Sequence, residues 1–184
     1  MADAHFPPLH RPLLLTGIMG AGKTSVGRKL AARLGLPFAD SDTEIETAAS
    51  MTIAQFFENY GEAEFRKGER RVIARLLDEP TGVISTGGGA FMDIETRALI
   101  KDKAISIWLH ADIETLLRRT GRRDDRPLLR GVDPRQRLTQ LVDQRGPVYA
   151  TADIKVISDD RPVDEPVEAV ITALKSFLSK EVAP

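Results

Sequence analysis

Apolar residues along this chain follow two rhythms. Short unbroken runs, Pro12–Thr16, Pro37–Ala39, Gly82–Thr86, Ala104–Leu109 and Ile154–Ile157, each read as a buried strand. None of them alternates cleanly between apolar and polar, which predicts strands covered on both faces, as in a parallel sheet. Between the runs the spacing becomes helical. Val26, Leu30 and Leu34 lie four apart, and Gly35 followed by Pro37 ends that helix. Phe65, Val72, Ile73, Leu76 and Leu77 line one face of the next long helix; Leu116 and Leu117 follow the fourth run; Val167, Val170, Ile171, Leu174 and Leu178 make a last amphipathic helix. Strand and helix alternating throughout predict a layered α/β fold with right-handed crossovers.

The chain has 184 residues, 42% hydrophobic and 29% charged, which predicts one compact globular domain over residues 12–184. The stretch 1–11, with two histidines and three prolines by Pro12, reads as a loose arm before the first strand and not as a metal site. It has no apolar core of a secretory signal, and no run is long enough to span a bilayer. Cysteine is absent, which excludes disulfides, thiolate metal sites and cysteine nucleophiles and fits a reducing, cytoplasmic setting. A net charge of -1 offers no basic field for nucleic acid. One segment departs from this average. Arg118 to Arg145 holds nine arginines against four acids, and Gly121, Pro127, Gly131 and Pro134 interrupt regular structure. It reads as a polar excursion placed like a lid over about residues 121–134.

The strongest local signal is Gly17 through Thr24, GIMGAGKT, which satisfies G-x-x-x-x-G-K-[ST] between a strand and a helix. The chemistry requires these residue types. Gly17, Gly20 and Gly22 let the backbone turn its amides onto a phosphate, backed by the positive end of the helix. Lys23 supplies a point charge for the terminal phosphates, and the Thr24 hydroxyl can ligate Mg²⁺. A dinucleotide fingerprint fails, because Ser25 stands where its third glycine belongs. The only asparagine, Asn59, precedes Tyr60, so no guanine-reading Asn-Lys-x-Asp exists. Leu76-Leu77-Asp78-Glu79 imitates the acidic strand of a motor ATPase, but Arg75 and Pro80 flank it and its period is helical; it reads as a solvated helix end. A small-molecule or nucleotide kinase remains, or a binding module that kept the cradle.

On the acceptor side, Asp40-Ser41-Asp42 closes the second strand at the edge where open α/β sheets bind ligands. One carboxylate can serve the metal region while the other orients an acceptor hydroxyl and takes its proton. A helix capped by Asp42, with Glu44 and Glu46 in its first turn, fits the same residues. Arg66 precedes Ile73 by seven positions and Leu77 by eleven, so it shares their face, and Glu69 one turn on can hold its guanidinium. Arg145 continues the stripe of Leu138, Leu141 and Val142. An inward cation is costly unless an anion meets it, and the guanidinium fork suits a carboxylate. Each arginine alone fits an internal ion pair; the two together suggest an acidic acceptor. Gly87-Gly88-Gly89 fits either bare amides against a ligand or a plain flexible loop.

Together these residues resemble the shikimate kinase family, from Leu13 to Leu178. The carriers are GIMGAGKT, Asp40-Ser41-Asp42, GEAEFRKGE around Arg66, STGGGA at Ser85 to Ala90, RPLL from Arg126 and QRGPVY around Arg145. The resemblance implies a P-loop kinase with a three-layer α/β/α core, a central five-stranded parallel sheet, a helical substrate-binding region at about residues 40–70 and a mobile lid. It implies Mg²⁺-dependent transfer of the ATP γ-phosphoryl group to the 3-hydroxyl of shikimate, a step toward chorismate and the aromatic amino acids. By the same resemblance, Gly20, Ala21, Gly22, Lys23, Thr24 and Ser25 hold the nucleotide phosphates, Thr24 ligates Mg²⁺, and Asp40 lies near the metal. Asp42 is the base and binds ring hydroxyls; Arg66 and Arg145 clamp the acceptor carboxylate; Gly88 and Gly89 offer it backbone contacts. Arg126 reaches the transferring phosphoryl, and Arg119 resembles the residue that stacks on adenine. Asp159-Asp160-Arg161-Pro162 departs from the family pattern, which leaves a further contact at Arg161 open. A gluconate-type sugar-acid kinase and a catalytically silent binding protein are the competing readings, and a monomer is the default.

Overall fold

The computed structural model describes residues 6–80, 82–121 and 131–182. Five strands are found: β1 (Leu13–Thr16), β2 (Phe38–Asp40), β3 (Val83–Ser85), β4 (Ile105–His110) and β5 (Ile154–Ile157). They match the five apolar runs and form one parallel sheet in the order β2-β3-β1-β4-β5. Seven α-helices are described: α1 (Lys23–Leu34), α2 (Ser41–Ala49), α3 (Ile53–Asp78), α4 (Ile94–Lys103), α5 (Ile113–Thr120), α6 (Pro134–Tyr149) and α7 (Asp164–Val182). Asp93, Asp112 and Asp133 cap α4, α5 and α6 by accepting a first-turn N–H, which fixes where each connection turns into helix. The carboxyl ends of β1, β2 and β3 therefore lie side by side, the arrangement that assembles the site.

The sheet is covered on two sides. Leu15 of β1 meets α1, which approaches so closely that a Cβ on Gly27 would lie 2.7 Å from the Phe38 ring. On the opposite face Ser106 borders a hollow of about 260 Å³ shared with Arg97 and Ala98 of α4. Leu13, Leu14 and Leu15 have no exposed surface; cutting any of them to Ala would cost about 2–5 kcal/mol. Two expectations need correction at the edges. β5 alternates between buried Ile154 and Val156 and exposed Lys155 and Ile157, because α7 covers only one of its faces. β2 is half-buried throughout. Lys155 of β5 is paired with Trp108 of β4, its ammonium 4.6 Å from the ring centroid.

The described part of the N-terminal arm, residues 6–11, is less loose than its composition implies. Phe6 and Leu9 pack against the core, Lys175 of α7 sits over the Phe6 ring, and Arg11 pairs with Glu181. Another difference concerns α3, which is broken at Gly61, where φ is 76° and ψ is 175°. That backbone belongs to glycine, and the helix carrying Arg66 starts afresh at Glu62. Residues 122–130, with Arg126 and most of the expected lid, lie outside the described residues. No described helix is long and apolar enough to cross a membrane.

Candidate active site

The phosphate loop links β1 directly to α1. Gly17 has φ 141°, and a Cβ there would fall 2.5 Å from the Leu109 carbonyl oxygen of β4, so no side chain fits. Gly22, at φ 90°, is the N-cap of α1 and supplies no capping side chain. The first amides of α1 are thus left to an anion. Lys23 donates to the carbonyls of Gly17 (2.8 Å) and Ile18 (3.0 Å), which folds its ammonium over the loop. Gly20 and Ala21 form the floor, the latter closing a tight turn through its N–H to the Ile18 carbonyl. Thr24 and Ser25 are exposed at the start of α1.

Thr24 connects this loop to the acidic strand end. Its hydroxyl donates to Asp40 Oδ2 (2.9 Å) and lies 3.5 Å from the hydroxyl of Ser85 at the end of β3. This is an all-oxygen set with one carboxylate, which suits Mg²⁺, an ion that keeps waters and takes most remaining ligands from phosphate. Among the described residues no cluster of three carboxylates or histidines forms a protein-only cage. The helix cap belongs to Asp40, which accepts from the Asp42 N–H at 3.1 Å, and not to Asp42 as one reading of the sequence had it. That correction leaves the Asp42 carboxylate uncommitted to a cap. It points across to β3, where a Cβ on Gly87 would lie 2.7 Å from Asp42 Oδ1. Burial raises the pKa of Asp42 above the ordinary aspartate value, and the charge of Asp40 adds to this, while Lys23 and Arg66 oppose it.

Arg66 sits where the helical period places it. Its Nη1 donates to Glu69 Oε2 at 2.6 Å, and Nη2 reaches Glu62 at 3.4 Å. Glu69 is only 2% exposed, and burial raises its pKa against the pull of Arg66. The glycine loop is shaped by these side chains. A Cβ on Gly89 would lie 2.5 Å from Arg66 Nη2, and one on Gly88 would lie 3.5 Å from both Arg145 Nη1 and the Tyr149 hydroxyl. Gly87 and Gly89 are therefore clearance for Asp42 and Arg66, while the tightest neighbour of a Cβ at Gly88 is the Gly17 carbonyl oxygen at 3.3 Å, which neither sequence reading of this loop anticipated. Arg145 is half-buried, and among the described residues no carboxylate pairs with it.

Arg119 at the end of α5 turns to the other side of the phosphate loop. It donates to the carbonyls of Gly20 (3.3 Å) and Asp159 and to the hydroxyl of Ser158 (3.1 Å). Arg161 is held away at the surface by Asp159 and Glu165. Asp78 and Glu79 pair with Lys103 and Arg75 in solvent, as expected of a helix end. Three residues given no role from sequence also belong here. Ser85 touches Thr24; Ser158 donates to the Ala21 carbonyl; Tyr149 donates to the Gly88 carbonyl while stacked against Trp108 and Phe91. The helical stripe Leu138, Leu141, Arg145 continues to Tyr149, and that spacing was the available signal for it.

Comparison with known proteins gives a consistent picture. The family model described as shikimate kinase matches residues 19–175. A shikimate kinase of Caulobacter vibrioides is 54% identical over 175 residues, which are 95% of this chain and 88% of that protein. The solved shikimate kinase of Acinetobacter baumannii, in complex with shikimate, is similar with a TM-score of 0.84 and 36% identity, covering 94% of this chain and 96% of that one. A gluconokinase from Sinorhizobium meliloti has a TM-score of 0.60 at 17% identity and covers 94% and 98% respectively, a likeness of fold alone.

Proposed function

Since the chain belongs to the shikimate kinase family, we propose that it transfers the γ-phosphoryl group of ATP to the 3-hydroxyl of shikimate, releasing 3-phosphoshikimate and ADP. The position of Asp42 carries this reading. Its carboxylate faces Gly87, two residues before the Gly89 that clears Arg66, and its N–H bonds Asp40, the partner of Thr24 in the cradle, so it lies between the phosphate cradle and the acceptor clamp. ATP lies along Gly20–Ser25, and the Lys23 ammonium exchanges the carbonyls of Gly17 and Ile18 for phosphate oxygens. Thr24 would hold Mg²⁺ with Asp40 beside it; the ion would neutralise charge between the terminal phosphates. Arg66 and Arg145 fork onto the shikimate carboxylate, with the amides of Gly88 and Gly89 alongside. Asp42 orients the acceptor hydroxyl and accepts its proton as the oxygen attacks, its raised pKa favouring that uptake. Arg126 reaches the phosphoryl group in transit, and Arg119 borders the base of the nucleotide.

The same proposal includes a substrate-binding region at about residues 40–70 and a lid at about residues 121–134 that closes over bound phosphates. It places the enzyme in the cytoplasm as a monomer, acting on neither nucleic acid nor membrane. The lack of cysteine, the net charge of -1 and the scattering of exposed Tyr60, Ile94, Val132 and Ile157 over separate elements support this. A coupled assay of ADP release tests the central reading. Turnover with Mg²⁺ and ATP is expected on shikimate and not on gluconate or nucleoside monophosphates. Preference for gluconate would restore the sugar-acid kinase, and no turnover on any acceptor would restore the silent binding protein.

A further inference from the structure

We propose that Ser158 is a positioning residue for the nucleotide, acting through the Ala21 carbonyl and Arg119; this rests on reading Gly17–Thr24 as the triphosphate cradle. Ser158 follows β5 immediately. Its N–H donates to the His110 carbonyl at 2.7 Å, which extends the β4–β5 pairing by one residue and fixes the backbone there. The side chain is 1% exposed. Its hydroxyl donates to the Ala21 carbonyl at 2.8 Å and accepts from Arg119 Nη1 at 3.1 Å. A group that donates and accepts from one atom is required, and a hydroxyl is the smallest that does.

The consequence follows from peptide geometry. In a trans peptide the C=O and the next N–H point in opposite directions, and no cis bond occurs among the described residues. Drawing the Ala21 carbonyl out toward Ser158 therefore turns the Gly22 N–H the other way, into the cradle at the mouth of α1. Gly22 is suited to this by its φ of 90°, and a Cβ there would lie 3.5 Å from Ser158 Oγ and 3.6 Å from Arg119 Nη1. Without the serine hydroxyl the Ala21 carbonyl loses this side-chain donor and is free to rotate toward the phosphates. Arg119 would keep the Gly20 and Asp159 carbonyls but lose its anchor between them. One hydroxyl thus joins the phosphate loop, the foot of the lid segment and the β5–α7 connection.

Two pairs of variants test this by ADP titration calorimetry and steady-state kinetics. Ser158→Ala is expected to weaken ADP and raise the KM for ATP roughly five- to 150-fold, the range for an unsatisfied buried polar group, with the KM for shikimate within about twofold at saturating ATP. Ser158→Thr and Ser158→Val differ by a hydroxyl against a methyl at equal bulk, so Thr should bind ADP at least about fivefold better than Val. A role confined to folding would lower the melting temperature of the variants without separating the two substrates. Unchanged ADP affinity in Ser158→Ala, equal affinity in Thr and Val, or equal loss for both substrates would overturn the proposal. Lys23→Ala serves as the reference. If it too left ADP binding intact, the cradle reading itself would fall, and not only the role of Ser158.

Discussion

Placing a methyl group on Gly89 separates acceptor binding from stability more sharply than removing any charged residue. The backbone at Gly89 is ordinary, with φ −89° and ψ −20°, so Gly89→Ala introduces no strain there. Reducing the freedom of the unfolded chain would add about 0.4–1 kcal/mol of stability. The new Cβ, however, would lie 2.5, 2.7 and 2.8 Å from Nη2, Nη1 and Cζ of Arg66. Ordinary contact is about 3.5 Å or more, so the guanidinium must retreat by roughly 1 Å. It can do so cheaply, because it is the far end of a flexible side chain with Glu62 and Glu69 beside it. The cost falls on the acceptor. Losing one charge-assisted contact to a carboxylate is worth about 1.5–3 kcal/mol, or roughly a 10- to 150-fold rise in the KM for shikimate. The KM for ATP should stay within about twofold, and the melting temperature should not fall. A KM for shikimate within twofold of the parent, in a folded variant, would show that Arg66 does not serve the acceptor from this position.

Other outcomes follow from the same geometry. Asp42→Asn should lower kcat by about 10²–10⁴ while shikimate still binds; turnover within a few-fold of the parent removes the base role. The parent kcat/KM should fall at a higher pH than an ordinary aspartate would give, because burial and Asp40 raise the pKa of Asp42, and the Asn variant should lack that acid limb. The sign for stability is opposite: a raised folded pKa makes the ionised form costly, so Asn should be the more stable above that pKa, with the advantage vanishing as pH falls toward the unfolded value. Arg145→Ala should raise the KM for shikimate and leave that for ATP nearly unchanged; equal losses would place Arg145 elsewhere.

What the sequence disclosed depended on how far apart the interacting residues are. The phosphate loop was readable because strand, glycines, lysine and helix are contiguous. Arg66 and Glu69 were readable because helical geometry alone places them one turn apart. The glycine triplet was ambiguous because its meaning lies in side chains from α2 and α3 and in the backbone of the phosphate loop, which chain order does not reveal. Asp40 and Asp42 could not be ranked as caps, since the helix starts two residues earlier than a cap at Asp42 requires and buries Ser41. Ser158 carried no signal, its partner lying 137 positions upstream. The open face of β5 escaped notice because a four-residue run of Ile-Lys-Val-Ile gives the same letters at an edge as at a centre. In the arm, two histidines and the prolines outweighed Phe6 and Leu9, whose anchorage depends on α7.

The hold that Gly17 and Ile18 keep on Lys23 bears on how a guest arrives. The cradle takes its contour from its own bonds, since the Ala21 turn closes on Ile18 and the ammonium rests on neighbouring carbonyls. Admission of a triphosphate then requires a trade of neutral oxygens for anionic ones and a swing of one side chain, with no refolding of the loop. A receptacle shaped by its own bonds spares the guest the cost of ordering it on arrival.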